Sequence, residues 1–114
     1  MTNQSATLDH LFKALADPAR RAIIEQLSRR AATVSELSQP LRISLPSVMQ
    51  HLRLLEASGL VRSRKVGRVR TCRIVPERLS IAEQWIAKRR SLWKHRLDLL
   101  GEYLEDRRGD RSKP

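Results

Sequence analysis

At Gly59 the periodicity of this chain changes, and that change restricts the fold more than any other feature. Upstream, "ISLPSVMQHLRLLEASG" (43–59) places Val48, Leu52 and Leu55 on one helical stripe with Leu54 beside it. Ser44 is positioned as an N-cap, Pro46 falls in the first turn where N–H groups have no intrahelical partner, and Gly59 ends the run. Downstream, "LVRSRKVGRVRTCRIV" (60–75) alternates with period two, so it reads as two strands joined at Val66-Gly67. A two-residue loop there pairs Lys65 with Arg68, Ser63 with Arg70 and Val61 with Cys72. One face of that hairpin is then basic at the tip and apolar at the base.

The preceding segments are helical. Leu8, Leu11, Phe12 and Leu15 recur at helical spacing, and a second helix starts with Asp17 as cap and Pro18 in its first turn, turning Ile23, Ile24 and Leu27 inward. Thr33 and Glu36 form a capping box that opens a third helix ending near Pro40. After the hairpin, Ser80 and Glu83 suggest a second capping box and a long helix to about Glu105. Its broad apolar stripe includes Trp85, Trp93, Leu97 and Leu100. The expected class is therefore mainly α with a small β-hairpin: four helices, a hairpin and a last long helix in one domain over residues 1–106. Residues 107–114, "RRGDRSKP", read as a disordered tail.

Charge narrows the partner. The chain has 114 residues with 23 Lys+Arg against 12 Asp+Glu, a formal charge of +11 and a pI near 11.3, so its long-range field favours polyanions. No apolar run approaches the length of a membrane span, and the N-terminus lacks the basic and apolar regions of a signal peptide, which points to the cytoplasm and to no membrane partner. A single cysteine, Cys72, forms neither an intrachain disulfide nor a multi-cysteine metal site, and it is expected to pack as a small apolar residue at the hairpin base. The four glycines make no phosphate-binding loop, and no nucleophile-base set is placed by spacing; catalysis is not expected, nor is a cofactor.

Helix, short turn, helix and basic hairpin together form a winged helix-turn-helix, in which the second helix of the pair enters the DNA major groove. Double-stranded DNA is the expected partner. The candidate contacts are Ser44, Ser47, Gln50, His51 and Arg53 on that helix and Arg62, Arg64, Lys65, Arg68 and Arg70 on the wing, where no acidic residue occurs between Glu56 and Glu77. For His51, a DNA contact and a packing role are both open. A sequence-tolerant architectural nucleic-acid binder is the alternative that charge alone would support. A long last helix carrying two tryptophans needs covering, and a domain of this size supplies too little surface, so a homodimer is expected.

"LFKALADPARRAIIEQL", "TVSELSQPLRISLPSVMQHLRLLEASGLV" and "RSRKVGRVRTCRI" together resemble the ArsR/SmtB family of bacterial winged-helix repressors over about Leu8 to Trp93. The resemblance implies a homodimer packed through its first and last helices, with Leu8, Leu11, Phe12, Trp85, Trp93, Leu97 and Leu100 at the interface. It also implies repression from an inverted-repeat operator. The family's metal-sensing members carry a Cys-x-Cys signature at the start of the third helix, but Thr33 and Ser35 stand there in this chain. At the zinc positions of the last helix stand Pro76, Arg78, Arg89 and Leu92, so no metal is expected at either place. No effector follows from the sequence.

Overall fold

The computed structural model describes the backbone of residues 2–112 and the side chains of residues 5–109. Its elements in chain order are α1 (Thr2–Leu15), α2 (Pro18–Arg29), β1 (Ala32–Thr33), α3 (Val34–Leu41), α4 (Leu45–Ala57), β2 (Val61–Val66), β3 (Val69–Ile74) and α5 (Pro76–Ser112). The chain divides into two compact units, Met1–Ala82 and Glu83–Pro114, the second being the distal part of α5.

Local chemistry sets the helix ends in the first unit. Asp17 caps α2 by accepting from the backbone N–H groups of Ala19 (2.8 Å) and Arg20 (3.1 Å). Thr33 and Glu36 close the expected capping box on α3, with the Thr33 N–H donating to Glu36 Oε1 at 2.9 Å and the Glu36 N–H to Thr33 Oγ1 at 3.2 Å. Helix α3 ends near Pro40 as expected: Pro40 sits in its last turn, the helix stops one residue later, and Arg42 turns the chain with φ at +55°. Helix α4 ends in a Schellman arrangement. Gly59 has φ +82°, its N–H donates to Glu56 O, and the Leu60 N–H donates to Leu55 O. Both Leu55 and Leu60 are fully buried, so the cap is also a core contact.

The hairpin differs from the expected register. Val66 pairs with Val69, Lys65 with Arg70, Ser63 with Cys72 and Val61 with Ile74, so the loop residues are Gly67 and Arg68. Gly67 alone of the two has positive φ, at +62°, which suits the first central position of a type II′ turn. Placing glycine second, as the Val66-Gly67 loop did, puts the β-branched Val66 where positive φ would be needed. Because the register moves by two residues, every side chain keeps its face. Cys72 accordingly faces the core but lies opposite Ser63 rather than Val61.

A third strand was not foreseen. β1 pairs antiparallel with β3, Ala32 opposite Cys72 and Thr33 opposite Thr71, giving a sheet in the order β1-β3-β2. Two residues are too few to display alternation. The core packs Leu11, Ile23, Leu27 and Leu37 with Val48, Leu52, Leu55 and Leu60, and the sheet adds Ala32, Val61 and Cys72.

The last helix also starts earlier and runs further than its sequence suggested. Pro76 opens it, and Ser80 is interior, its hydroxyl donating back to Pro76 O at 3.4 Å instead of capping. Of the expected tail 107–114, residues 107–112 are helical and the last two lie outside the described residues.

Candidate nucleic-acid interface

Helix α4 presents its polar residues because Val48, Leu52 and Leu55 anchor the opposite side in the core. Ser44 caps the helix, its Oγ accepting from the Ser47 N–H at 3.3 Å, and the two hydroxyls lie 3.0 Å apart. Pro46 follows at the second helical position, where its missing N–H breaks no intrahelical bond, and the Ser47 N–H is taken by the cap, so the polar character of this turn rests on its side chains. Gln50 and Arg53 are exposed on the outward side with Pro46, spaced as one helical ridge.

His51 is placed differently. It is half-buried and turned toward α2, where Arg20 Nη1 approaches His51 Nδ1 at 3.4 Å. The same guanidinium donates to the Ala14 carbonyl at 2.7 Å and the Lys13 carbonyl at 3.0 Å, so Arg20 satisfies the C-terminal turn of α1 while bracing α4. Sequence reasoning overlooked Arg20. Its only signal was the Arg-Arg pair after the "DPA" helix start, and that pair reads equally as solvated charge.

The wing cations fall into two sets because side chains alternate across the sheet. Lys65 and Arg70 face the α4 side, and Arg68 stands in the turn. They line a cleft of about 500 Å³ with Val34, Leu45, Met49 and Val69, between the starts of α3 and α4 and the wing. On the other face Arg62, Arg64 and Arg73 gather around Thr71 in a second cleft of about 520 Å³. Arg62 lies directly opposite Arg73, a like-charge pair that an anion would relieve.

Arg70 is not independent of the fold. It lies 3.7 Å from Glu56 of α4 and donates to Ser63 Oγ at 3.1 Å, while the Ser63 hydroxyl donates to the same Glu56 carboxylate. This triad pins the root of the wing to α4. Glu56 was read in the sequence only as the acidic boundary of the basic run, since its partner lies fourteen residues away across an unformed hairpin.

Among the residues proposed for a dimer surface, Leu11 is fully buried in its own protomer's core and offers nothing to a second chain. Leu8 is half-buried, whereas Phe12, Trp85, Trp93, Leu97 and Leu100 are exposed, the last three by more than half. Arg89 stacks over the Trp85 ring at 4.4 Å. Burial, and secondarily the Glu56 charge, push the Cys72 thiol up to about 11. Among the described residues no group of three or more His, Cys, Asp or Glu converges, and no helix is long and apolar enough to cross a membrane.

Comparison with known proteins bears on this geometry. A helix-turn-helix domain family model matches residues 15–64. The HTH-type transcriptional regulator Rv2034 of Mycobacterium tuberculosis is 40% identical over 72 residues, covering 63% of this chain and 67% of that protein. The HTH-type transcriptional repressor SmtB of the same species is 43% identical over 58 residues, and the match spans 51% of this chain but only 43% of the repressor. The crystal structure of an ArsR family transcriptional regulator superposes with a TM-score of 0.75 at 49% identity, covering 79% of this chain and 93% of that one. An ArsR-like transcriptional regulator from Rhodococcus sp. RHA1 also gives 0.75, at 31% identity over 88% of this chain and 94% of the other.

Proposed function

Because the chain belongs to the ArsR/SmtB family of winged helix-turn-helix transcriptional regulators, we propose that it is a homodimeric repressor occupying an inverted-repeat operator. In this reading the ridge of α4 enters the major groove, Ser44, Ser47, Gln50 and Arg53 meet base edges and phosphates, and the wing holds the flanking backbone. The observation that carries it is the juxtaposition of an exposed polar helix start with the cations of the wing, both braced from behind by the core and by the Glu56–Ser63–Arg70 triad. A neutral Gln50 suits bidentate contact with adenine, whereas Arg62, Arg64, Lys65 and Arg68 suit phosphate.

Dimerisation is supported by the exposed apolar side chains of α5, which water would otherwise cover at about 25 cal/mol per Å². Metal control through the family's usual third-helix site is not part of the proposal, because Thr33 is committed to capping α3 and neither it nor Ser35 is a soft-metal ligand. Acting on DNA supports the expectation that the protein works in the cytoplasm. The test is to select duplexes from a randomised pool with the purified chain and footprint the winner. Two protected half-sites related by a two-fold axis, about one helical turn apart, are expected; a single protected half-site or a continuous unphased footprint contradicts the proposal.

A further inference from the structure

We propose that Leu45 reads a thymine methyl group in the major groove, making an apolar side chain one of the chain's determinants of sequence. The inference rests on α4 entering the groove as above. Leu45 is the first residue of α4 and is 48% exposed. Its neighbours Val34, Leu41, Ile43 and Met49 pack against the core, but Leu45 does not belong to that packed set. The helix does not require leucine here, since Ser44 provides the cap with its own hydroxyl and any polar helix former could follow it.

What distinguishes Leu45 from a stray surface leucine is its setting. It lines the cleft between α4 and the wing together with Met49, Lys65, Arg68 and Arg70. Such a cleft, lined by apolar side chains and cations together, matches a nucleotide strand whose phosphates meet the cations while a base edge offers hydrocarbon. Thymine is the base that offers it in the major groove, through its C5-methyl group. The polar neighbours Ser47 and Gln50 would read adjacent donors and acceptors, and Leu45 would add a position at which only thymine gains.

Replacing thymine with uracil removes that methyl group and nothing else, so the duplex selected by the wild-type chain can be substituted one thymine at a time. At one position in each half-site, uracil is expected to weaken wild-type binding about 4-fold, the equivalent of burying one methyl group. Leu45→Ala and Leu45→Ser are expected to bind the thymine and uracil forms of that position alike, with helical circular dichroism unchanged. Leu45→Met, which keeps apolar reach, should retain the sensitivity. The inference is overturned if the selected site has no thymine, if no uracil substitution matters to the wild type, or if both truncated variants keep the wild-type sensitivity. A wild type that prefers its selected duplex to a scrambled one but ignores the methyl group removes only the role of Leu45; one with no preference removes the recognition-helix reading as well.

Discussion

Arg68 and Arg70 carry the same charge on the same hairpin, yet their surroundings differ. Arg68 stands in the exposed turn, while Arg70 is held by Glu56 and Ser63 and is only partly exposed. Releasing counterions from DNA requires a cation that is not already neutralised, so Arg68→Ala is expected to reduce the slope of log affinity against log salt by about one unit. Arg70→Ala is expected to reduce it by less. Titrations giving equal slopes for the two variants would show that the Glu56 pairing opens on DNA. Cys72 presents a second residue-scale contrast, because its thiol sits in the core with its pKa pushed from 9.0 to about 11. That is ~100-fold less thiolate at neutral pH, so a thiol-specific disulfide reagent should modify the native chain at least ~100-fold more slowly than the denatured one. Equal rates would place Cys72 at an accessible and reactive site.

At the scale of elements, two caps tie the helices to acid stability. The Asp17 carboxyl is held below its ordinary 3.8, chiefly by the Arg20 backbone N–H, and Glu36 below its ordinary 4.5, chiefly by the Thr33 backbone N–H. Both contributions are present above those ordinary values and are lost as pH falls through the depressed folded-state values. Denaturant midpoints should therefore drop as pH is lowered below about 4.5, and the double variant Asp17→Asn, Glu36→Gln should flatten that drop, since amides still accept cap bonds but do not titrate. An unchanged pH profile would assign the acid sensitivity elsewhere. These same caps explain what the sequence could disclose. Asp17, Thr33, Ser44 and Gly59 announce themselves by residue type at fixed offsets, and the core stripes of α2 and α4 follow from spacing alone. The hairpin register depended on which loop position needs positive φ, β1 on a partner strand forty residues away, and the start of α5 on Pro76 outranking a plausible Ser80 box. The candidate site divides similarly. Its charged and polar members were legible from type and position, whereas the Arg20 brace, the Glu56 triad and the cleft beside Leu45 exist only once α2, α4 and the wing are brought together.

For the whole molecule, the proposed dimer is the premise on which a two-fold operator depends. Trp93 and Leu97 are each more than 60% exposed on α5, and burying them against a partner would remove that surface from water. The chain is expected to sediment at twice its 13.1 kDa, and Trp93→Glu or Leu97→Glu to shift it toward monomer and shorten the footprint to a half-site. A wild type that remains monomeric at micromolar concentration would contradict the dimer. A charge of +11 guarantees some affinity for any duplex, so binding alone decides little. The decisive measurement is fluorescence anisotropy on the selected duplex and on a scrambled duplex of equal length, across a range of salt concentrations. For a sequence-specific regulator the selected duplex is expected to bind at least ~10³-fold more tightly and to keep its advantage as salt rises. Two curves that coincide and fall together with salt would contradict sequence-specific regulation and leave a charge-driven architectural binder as the better description.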